Sequence, residues 1–169
     1  MDNSRIYIFD TSSEYITYNE DLLRQIAILR WGYDESKLDS WANSLKRDLF
    51  GFISFYVFGT ADTIKLNGNK VIGFAYFCQD ENDEKHWYYG DLIVDSKYRR
   101  SGIATRMIEM GILNLKGGNR KASKLFTYID KDNTSSIVLH EKLSFSPAEK
   151  QESINGFDKD NRIVYECML

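Results

Sequence analysis

The chain has 169 residues, of which 43 % are hydrophobic and 14 % aromatic, and its formal net charge is −3. This length and composition predict a single globular domain with a buried core and exclude a disordered chain. The small negative charge counts against a general nucleic-acid binder, because such proteins normally carry a basic surplus.

Hydropathy and cysteine content bound the class of protein further. The sequence has no run of eighteen apolar residues, and its N-terminus lacks a basic segment followed by an apolar one. We therefore expect a soluble, cytoplasmic protein with no membrane partner. The two cysteines, Cys78 and Cys167, lack metal-ligand spacing and are expected to be buried free thiols, so no metal site is predicted.

The first third of the chain predicts one strand and two amphipathic helices. Residues 5–9 are rich in β-branched and aromatic side chains, which is typical of a strand. The first helix follows a candidate capping box, Thr17-x-x-Glu20, and extends to Gly32. The second extends from about Ser36 to Gly51 and has its apolar residues on one face.

The next segment is predicted to be rich in strands. Residues 52–58 and 71–77 are apolar and aromatic. Asn67-Gly68 is typical of a two-residue hairpin turn, which would join a strand at 63–66 to the strand at 71–77. The acidic run 79–84 could attract cationic acceptors, but such runs are more often solvated connections, and this is the interpretation favoured here.

The second half predicts alternating strands and helices. They are a strand at 86–94, a helix from Ile103 to Gly117, a strand at 125–129, a helix from Asn133 to Leu143, and a closing antiparallel pair at 144–151 and 161–168. The central strand, helix and strand form a right-handed crossover between parallel strands. The predicted fold class is α/β (α+β), with a single mixed sheet of six to seven strands and helices on both faces, in one domain over 1–169.

A basic turn precedes the helix that begins at Ile103. Lys97, Arg99 and Arg100 carry positive charge in it, and Gly102 at the junction would let the backbone approach a ligand. The first turn of a helix presents amides without intrahelical partners and the positive end of the helix dipole. The turn is therefore predicted to bind phosphate, and a few amides could hold a diphosphate.

The pattern of this turn narrows the choice of phosphate ligand. A Walker loop and the three-glycine dinucleotide fingerprint are both absent, so a nucleotide-binding module is poorly supported. The residues Arg99-x-x-Gly102-x-Ala104, shortly after a strand ending in Val94, resemble the coenzyme A pyrophosphate turn of the GNAT superfamily of N-acetyltransferases. Alone, the motif is also compatible with a capped helix whose arginines are solvated.

A second segment, about thirty residues further on, also resembles the GNAT superfamily, in which asparagine opens a helix ending in Tyr-x-Lys-x-Gly-Phe. The matching residues are Asn133, Ser136 in a small-residue position, Leu139, Lys142 and Phe145. His140 stands where tyrosine is usual, and Ser144 stands where glycine is usual. Together the two matches extend the resemblance over residues 86–145.

The resemblance implies a splayed central parallel pair of strands with acetyl-coenzyme A (acetyl-CoA) as co-substrate in the gap. The implied cofactor-binding residues are Leu92, Ile93 and Val94 for the pantetheine arm, Arg99, Arg100, Ser101, Gly102, Ile103, Ala104 and Thr105 for the pyrophosphate, and Asn133 with Ser136 near the arm. The first two helices would roof the acceptor pocket. Trp31, Tyr33 and Trp41 are candidates to line it, although such aromatics are more often core residues.

The implied activity is acetyl transfer to a primary amine of a small molecule, peptide or protein. His140 is the candidate general acid for the leaving thiolate, but only a raised pKa would keep its imidazolium charged near neutral pH. The alternative is a surface histidine without special contacts. Some members of the resembled family carry the general base as a glutamate where this chain has Gly90. Asp91 and Tyr89 are the candidates beside it, although both would point to the opposite face of the strand, and Glu14, Glu35 and a water relay are the alternatives.

A non-catalytic acyl-CoA-binding or regulatory domain is the second hypothesis. It gains weight from the tyrosine missing at His140, from the absence of a glutamate before the strand end, and from Ser144 in place of glycine. The sequence does not identify the acceptor, and it leaves open whether the protein is a homodimer.

Overall fold

The computed structural model describes residues 5–10, 20–50, 54–59, 71–117, 121–151 and 161–169. These residues form β1 (Arg5–Asp10), α1 (Glu20–Trp31), α2 (Leu38–Phe50), β2 (Ser54–Gly59), β3 (Val71–Gln79), β4 (His86–Val94), α3 (Ile103–Gly117), β5 (Lys124–Asp130), α4 (Thr134–Lys142), β6 (Ser146–Pro147) and β7 (Arg162–Met168). A 3₁₀ turn, Ser96–Tyr98, follows β4. The predicted cap at Thr17, the strand at 63–66 and the Asn67-Gly68 turn lie outside the described residues.

The strands form one mixed sheet in the order β1-β2-β3-β4-β5-β7-β6. Antiparallel ladders join β1 to β2, β2 to β3, β5 to β7 and β6 to β7. β4 and β5 are parallel, and their ladder runs only from the pair His86–Lys124 to the pair Tyr88–Phe126. The predicted mixed class is confirmed, and so short a parallel ladder agrees with a central pair that separates early.

The chain divides into two compact units, Met1–Phe77 with Asp91–Met107, and Cys78–Gly90 with Ile108–Leu169. In the first unit, Ile72, Ile103 and Met107 are buried together, so the start of α3 packs against β3. A Cβ added at Gly73 would lie 3.2 Å from side-chain atoms of Ile103 and of Met107. A larger residue here would force these side chains to move by a few tenths of an ångström, so glycine favours the close approach of helix and strand.

The second unit ends in the predicted antiparallel pair, but one of its strands is much shorter than expected. The sequence predicted a strand over 144–151, and the structure has only Ser146–Pro147. Proline has no amide to donate to a ladder, which confines it to the edge of a sheet. β6 is accordingly the last strand in the order, next to β7.

Two further sequence-based predictions concern the described part of the chain. Cys78 and Cys167 are both buried free thiols, as expected. None of the described helices combines the length and the hydrophobicity that crossing a bilayer requires.

Candidate functional site

The basic turn in the first unit is held by its own hydrogen bonds. The Asp95 carboxylate accepts a bond of 3.0 Å from the amide of Lys97, and the amide of Tyr98 donates to the Asp95 carbonyl at 2.9 Å. Arg99 Nε donates to the carbonyl of Val94 at 3.1 Å, which ties this side chain to the end of β4. Hydrogen bonds within the chain thus define the shape of the turn.

Two residues of the turn have left-handed backbone, Arg100 with φ 63° and Gly102 with φ 83°. A Cβ added at Gly102 would meet no atom within 4 Å, so the positive φ, and not crowding within the chain, calls for glycine. Successive amides with alternating backbone hand form a concave anion-binding surface. The geometry of the turn therefore suits a phosphate group.

Helix α3 begins directly after this turn. Its first regular hydrogen bond runs from the amide of Arg106 to the carbonyl of Gly102 at 3.0 Å. The amides of Ile103, Ala104 and Thr105 precede this bond and have no partner within the helix. They add the positive end of the helix dipole to the turn, at the residues predicted for the pyrophosphate.

A cavity of about 350 Å³ lies beside the turn within the first unit. Its lining residues are Gln25, Ile28, Leu29, Val71, Val94, Asp95, Ser96 and Arg99. Apolar side chains of α1 and of the strand ends thus face polar groups of the turn, the combination found in small-molecule sites.

Strand β4 departs from extended backbone at Asp91, where φ is 51°. For a residue other than glycine this conformation costs about 1–2 kcal/mol. The Asp91 carboxylate forms an ion pair with Arg30 of α1, with 2.9 Å between Oδ2 and Nη1. The alternation of side chains that placed Tyr89 and Asp91 on one face does not hold across such a residue.

In the second unit, His140 is buried, with 2 % of its surface exposed. Its ring stacks on Tyr89, with 5.7 Å between centroids and 18° between planes, and meets Phe145 edge to face at 5.3 Å. The alternative of a surface histidine without special contacts is therefore wrong. The reason is that α4 packs this position against β4, which amphipathic spacing alone did not reveal.

The hydrogen bonds of His140 assign its tautomer. Nδ1 lies 2.6 Å from the carbonyl oxygen of Ser136, which can only accept, so Nδ1 carries the hydrogen. The hydroxyl of Tyr89 then donates to Nε2. Tyr89 is fully buried and also hydrogen-bonds with Thr127 of β5. Ser136, His140, Tyr89 and Thr127 thus form one polar chain inside the second unit.

Burial sets the charge of this pair. It lowers the pKa of His140, although the hydrogen bond to the Ser136 carbonyl acts in the opposite direction. Burial likewise raises the pKa of Tyr89 well above its ordinary value. Both groups are neutral near pH 7, and the condition for an imidazolium acid, a raised pKa, is not met. The proton between the two rings belongs to the phenol.

The ends of α4 explain two other residues of the second motif. Asn133 caps the helix, and its side chain accepts from the amide of Ser136 at 3.1 Å. Ser144 has φ 65°, and Phe145 donates its amide to the carbonyl of His140 at 3.0 Å, as in a Schellman motif. Ser144 therefore adopts the left-handed conformation for which glycine is the usual residue.

The remaining candidates lie around the end of α1. Glu35 accepts a hydrogen bond from the hydroxyl of Tyr33. The ring centroids of Trp31 and Trp41 lie 5.4 Å apart. Tyr33 is 71 % exposed and Trp31 39 %, so neither is the core residue that such aromatics more often are. Glu14, the other candidate base, lies outside the described residues.

The sequence matches a known protein family. A sequence model described as the acetyltransferase (GNAT) family matches residues 6–145, which is more than half of the chain. The chain belongs to the GNAT family of acetyltransferases. Both resembling segments fall within the matched range, so the resemblance found from the two motifs is confirmed.

Individual GNAT relatives are distant. Mycothiol acetyltransferase of Corynebacterium glutamicum (strain R) is 28 % identical over 83 residues, which are 49 % of this chain and 27 % of that protein. The match thus spans about a quarter of the length of this curated relative.

Solved GNAT structures agree over almost the whole chain. An acetyltransferase of the GNAT family from Staphylococcus aureus Mu50 has a TM-score of 0.65 at 14 % identity and covers 97 % of this chain and 99 % of its own. Aminoglycoside 6′-acetyltransferase type Ii has a TM-score of 0.65 at 19 % identity, with coverage of 97 % and 96 %. At such identities the similarity establishes the fold.

Two residues of this GNAT chain were not singled out from the sequence. Arg30 is a basic residue in the last turn of a helix, where such residues commonly favour the helix dipole, so nothing marked it as the partner of Asp91. Thr127 carried a weak signal, because it is a polar residue between the aromatic residues Phe126 and Tyr128 in a segment predicted as a strand.

The pKa of His140 predicts how stability depends on pH. Because the folded state lowers this pKa below the ordinary 6.5, the unfolded chain binds a proton more readily. The stabilisation from neutral His140 is complete above about pH 6.5 and is lost as pH falls below it. In urea titrations from pH 7.5 to 5, the stability advantage of the unmodified chain over His140→Gln should shrink.

His86→Gln is the matched control, because His86 is the other histidine of the chain and lies in the same unit. This variant should retain the loss of stability on acidification that belongs to His140. An equally steep loss in His140→Gln and in the unmodified chain would contradict the assignment.

Proposed function

We propose that this protein is an acetyl-CoA-dependent N-acetyltransferase that transfers the acetyl group to a primary amine. The observation that carries the proposal is the ordered turn at the start of α3 in a chain of the GNAT family. Its left-handed residues and three helix-start amides suit a pyrophosphate, the central anionic group of coenzyme A.

The reaction requires direct attack of a neutral amine on the thioester carbonyl. The new C–N bond forms, the C–S bond breaks, the amine nitrogen loses a proton and the departing thiolate gains one. In the proposal, the backbone of Leu92 to Val94 aligns the pantetheine arm and the turn anchors the pyrophosphate. Asp91, Tyr89 and His140 stay the candidates for proton transfer.

The acceptor is proposed to be the amine of a small molecule. Two relatives support this class through their names, a mycothiol acetyltransferase and an aminoglycoside 6′-acetyltransferase. Two exposed aromatic residues at the end of α1, Trp31 and Tyr33, are proposed to contact the acceptor.

The test combines binding and turnover. Calorimetry should detect coenzyme A binding to the purified chain, and acetyl-CoA with a panel of small amines should release free thiol only when both protein and amine are present. Binding without thiol release for any amine would favour a non-catalytic acyl-CoA-binding domain, for which the neutral His140 is the supporting observation. Absence of both signals would overturn the proposal.

A further inference from the structure

Within β4, all of which the structure describes, Asp91 alone has a positive φ. A side chain in this conformation is strained, and such a residue persists only where its surroundings hold it in place. Extended backbone would be the relaxed state of a strand residue. Some contact of Asp91 must therefore maintain the left-handed conformation.

One such contact is the ion pair with Arg30, in the last turn of α1. Its Nη1 lies 2.9 Å from Asp91 Oδ2, and the two side chains are only 29 % and 20 % exposed. Oδ2 itself is shielded from solvent. Because a buried carboxylate oxygen depends on its cation, removal of Arg30 would drive the carboxylate towards water and allow Asp91 to relax.

The position of Arg30 is itself fixed. Its guanidinium lies over the ring of Trp31 at 4.5 Å from the centroid, a cation–π arrangement. The Arg30–Asp91 clamp, defined by these two residues, thus links the end of α1 to one strained strand residue.

The conformation of Asp91 determines the direction of the backbone that follows it. A residue that breaks the regular pleat re-aims the amides and carbonyls beyond it. The next three residues, Leu92, Ile93 and Val94, are those proposed to align the pantetheine arm. We infer that Arg30 is a positioning residue, whose ion pair with Asp91 holds β4 in the left-handed conformation that aligns Leu92–Val94 with the thioester. This inference rests on the proposed acetyltransferase function.

A double-mutant comparison tests the clamp with kcat and KM as readouts. Arg30→Met should lower kcat about tenfold, because small misplacement of reacting groups is costly, while KM for the amine stays within about twofold. Asp91→Gly removes the carboxylate but keeps the backbone conformation, since glycine adopts positive φ without help, so it serves as the background in which the effect of Arg30 is measured. In the Asp91→Gly background, Arg30→Met should cause no further loss, and Arg30→Lys should restore part of kcat in the original background.

The matched control is Arg24→Met. Arg24 lies on the same helix, six residues before Arg30, and pairs with Asp39 of α2 at 2.6 Å. Because it does not contact Asp91, its replacement should leave kcat unchanged. A loss of about a hundredfold in Asp91→Gly alone would show that the carboxylate itself reacts and would overturn the inference. Equal losses from Arg30→Met in both backgrounds, or reduced stability with unchanged kcat, would also overturn it.

The failure of this inference is distinguishable from failure of the proposed function. If the unmodified chain released no thiol with any amine, the acetyltransferase proposal would be overturned. The clamp would then be tested by the free energy of unfolding of four proteins, namely the unmodified chain, Arg30→Met, Asp91→Gly and the double variant. Coupling of about fivefold or more in the folding equilibrium supports it, and independent effects of the two substitutions overturn it.

Discussion

Gly102→Ala is expected to weaken coenzyme A binding about five- to thirtyfold in calorimetric titrations. Gly102 has φ 83°, and a Cβ in this conformation costs about 1–2 kcal/mol. The free turn of the variant should relax from this conformation and must restore it to bind, and 1.4 kcal/mol corresponds to about tenfold in affinity. The added methyl group would also project into space that holds no other atom of the described chain, next to the amides proposed to bind the pyrophosphate.

Two glycines provide controls that separate strain from binding. Gly32 has φ 87° at the end of α1, so Gly32→Ala introduces the same backbone strain away from the turn and should lower stability but not affinity. Gly117→Ala, at the other end of α3, has neither strain nor crowding and should be neutral or slightly stabilising. If Gly102→Ala bound coenzyme A as tightly as Gly117→Ala, the proposed phosphate site would be wrong.

Tyr89→Phe is expected to destabilise the fold by about 1–3 kcal/mol, because it leaves the buried Nε2 of His140 without its donor. For a domain of this size the melting temperature should fall by about 2–4 °C per kcal/mol. If the phenol proton also neutralises the leaving thiolate, kcat should fall by about a hundredfold as well, with little change in KM for acetyl-CoA. Melting curves and steady-state kinetics measure the two effects separately.

The matched control is Tyr165→Phe. Tyr165 is a buried tyrosine of the same unit that lies outside the polar chain of Tyr89 and His140, so the change should destabilise the fold less than Tyr89→Phe does. Combining Tyr89→Phe with His140→Leu should cost less than the sum of the single changes, since both polar partners are then removed. Full kcat in Tyr89→Phe would exclude Tyr89 from the chemistry.

Local sequence patterns were sufficient for the order of the elements around the turn. The strand over His86–Val94 and the helix over Ile103–Gly117 were predicted with the bounds that the structure has. Their information is local, because β-branched runs, helical spacing and glycine at a junction act over a few residues. The same reasoning overestimated β6, where a short edge pairing depends on its neighbour β7 and not on its own residues.

The candidate site divides in the same way. The turn proposed to bind an anion is a local feature, and the sequence by itself determined where it lies, because the left-handed residue, the basic side chains and the helix start are adjacent in the chain. The pairing of Arg30 with Asp91 and of Tyr89 with His140 joins residues about sixty and fifty positions apart. Only the tertiary structure decided these pairs and, through burial, the charge of His140, because desolvation depends on what the fold packs around a group and leaves no trace in local spacing.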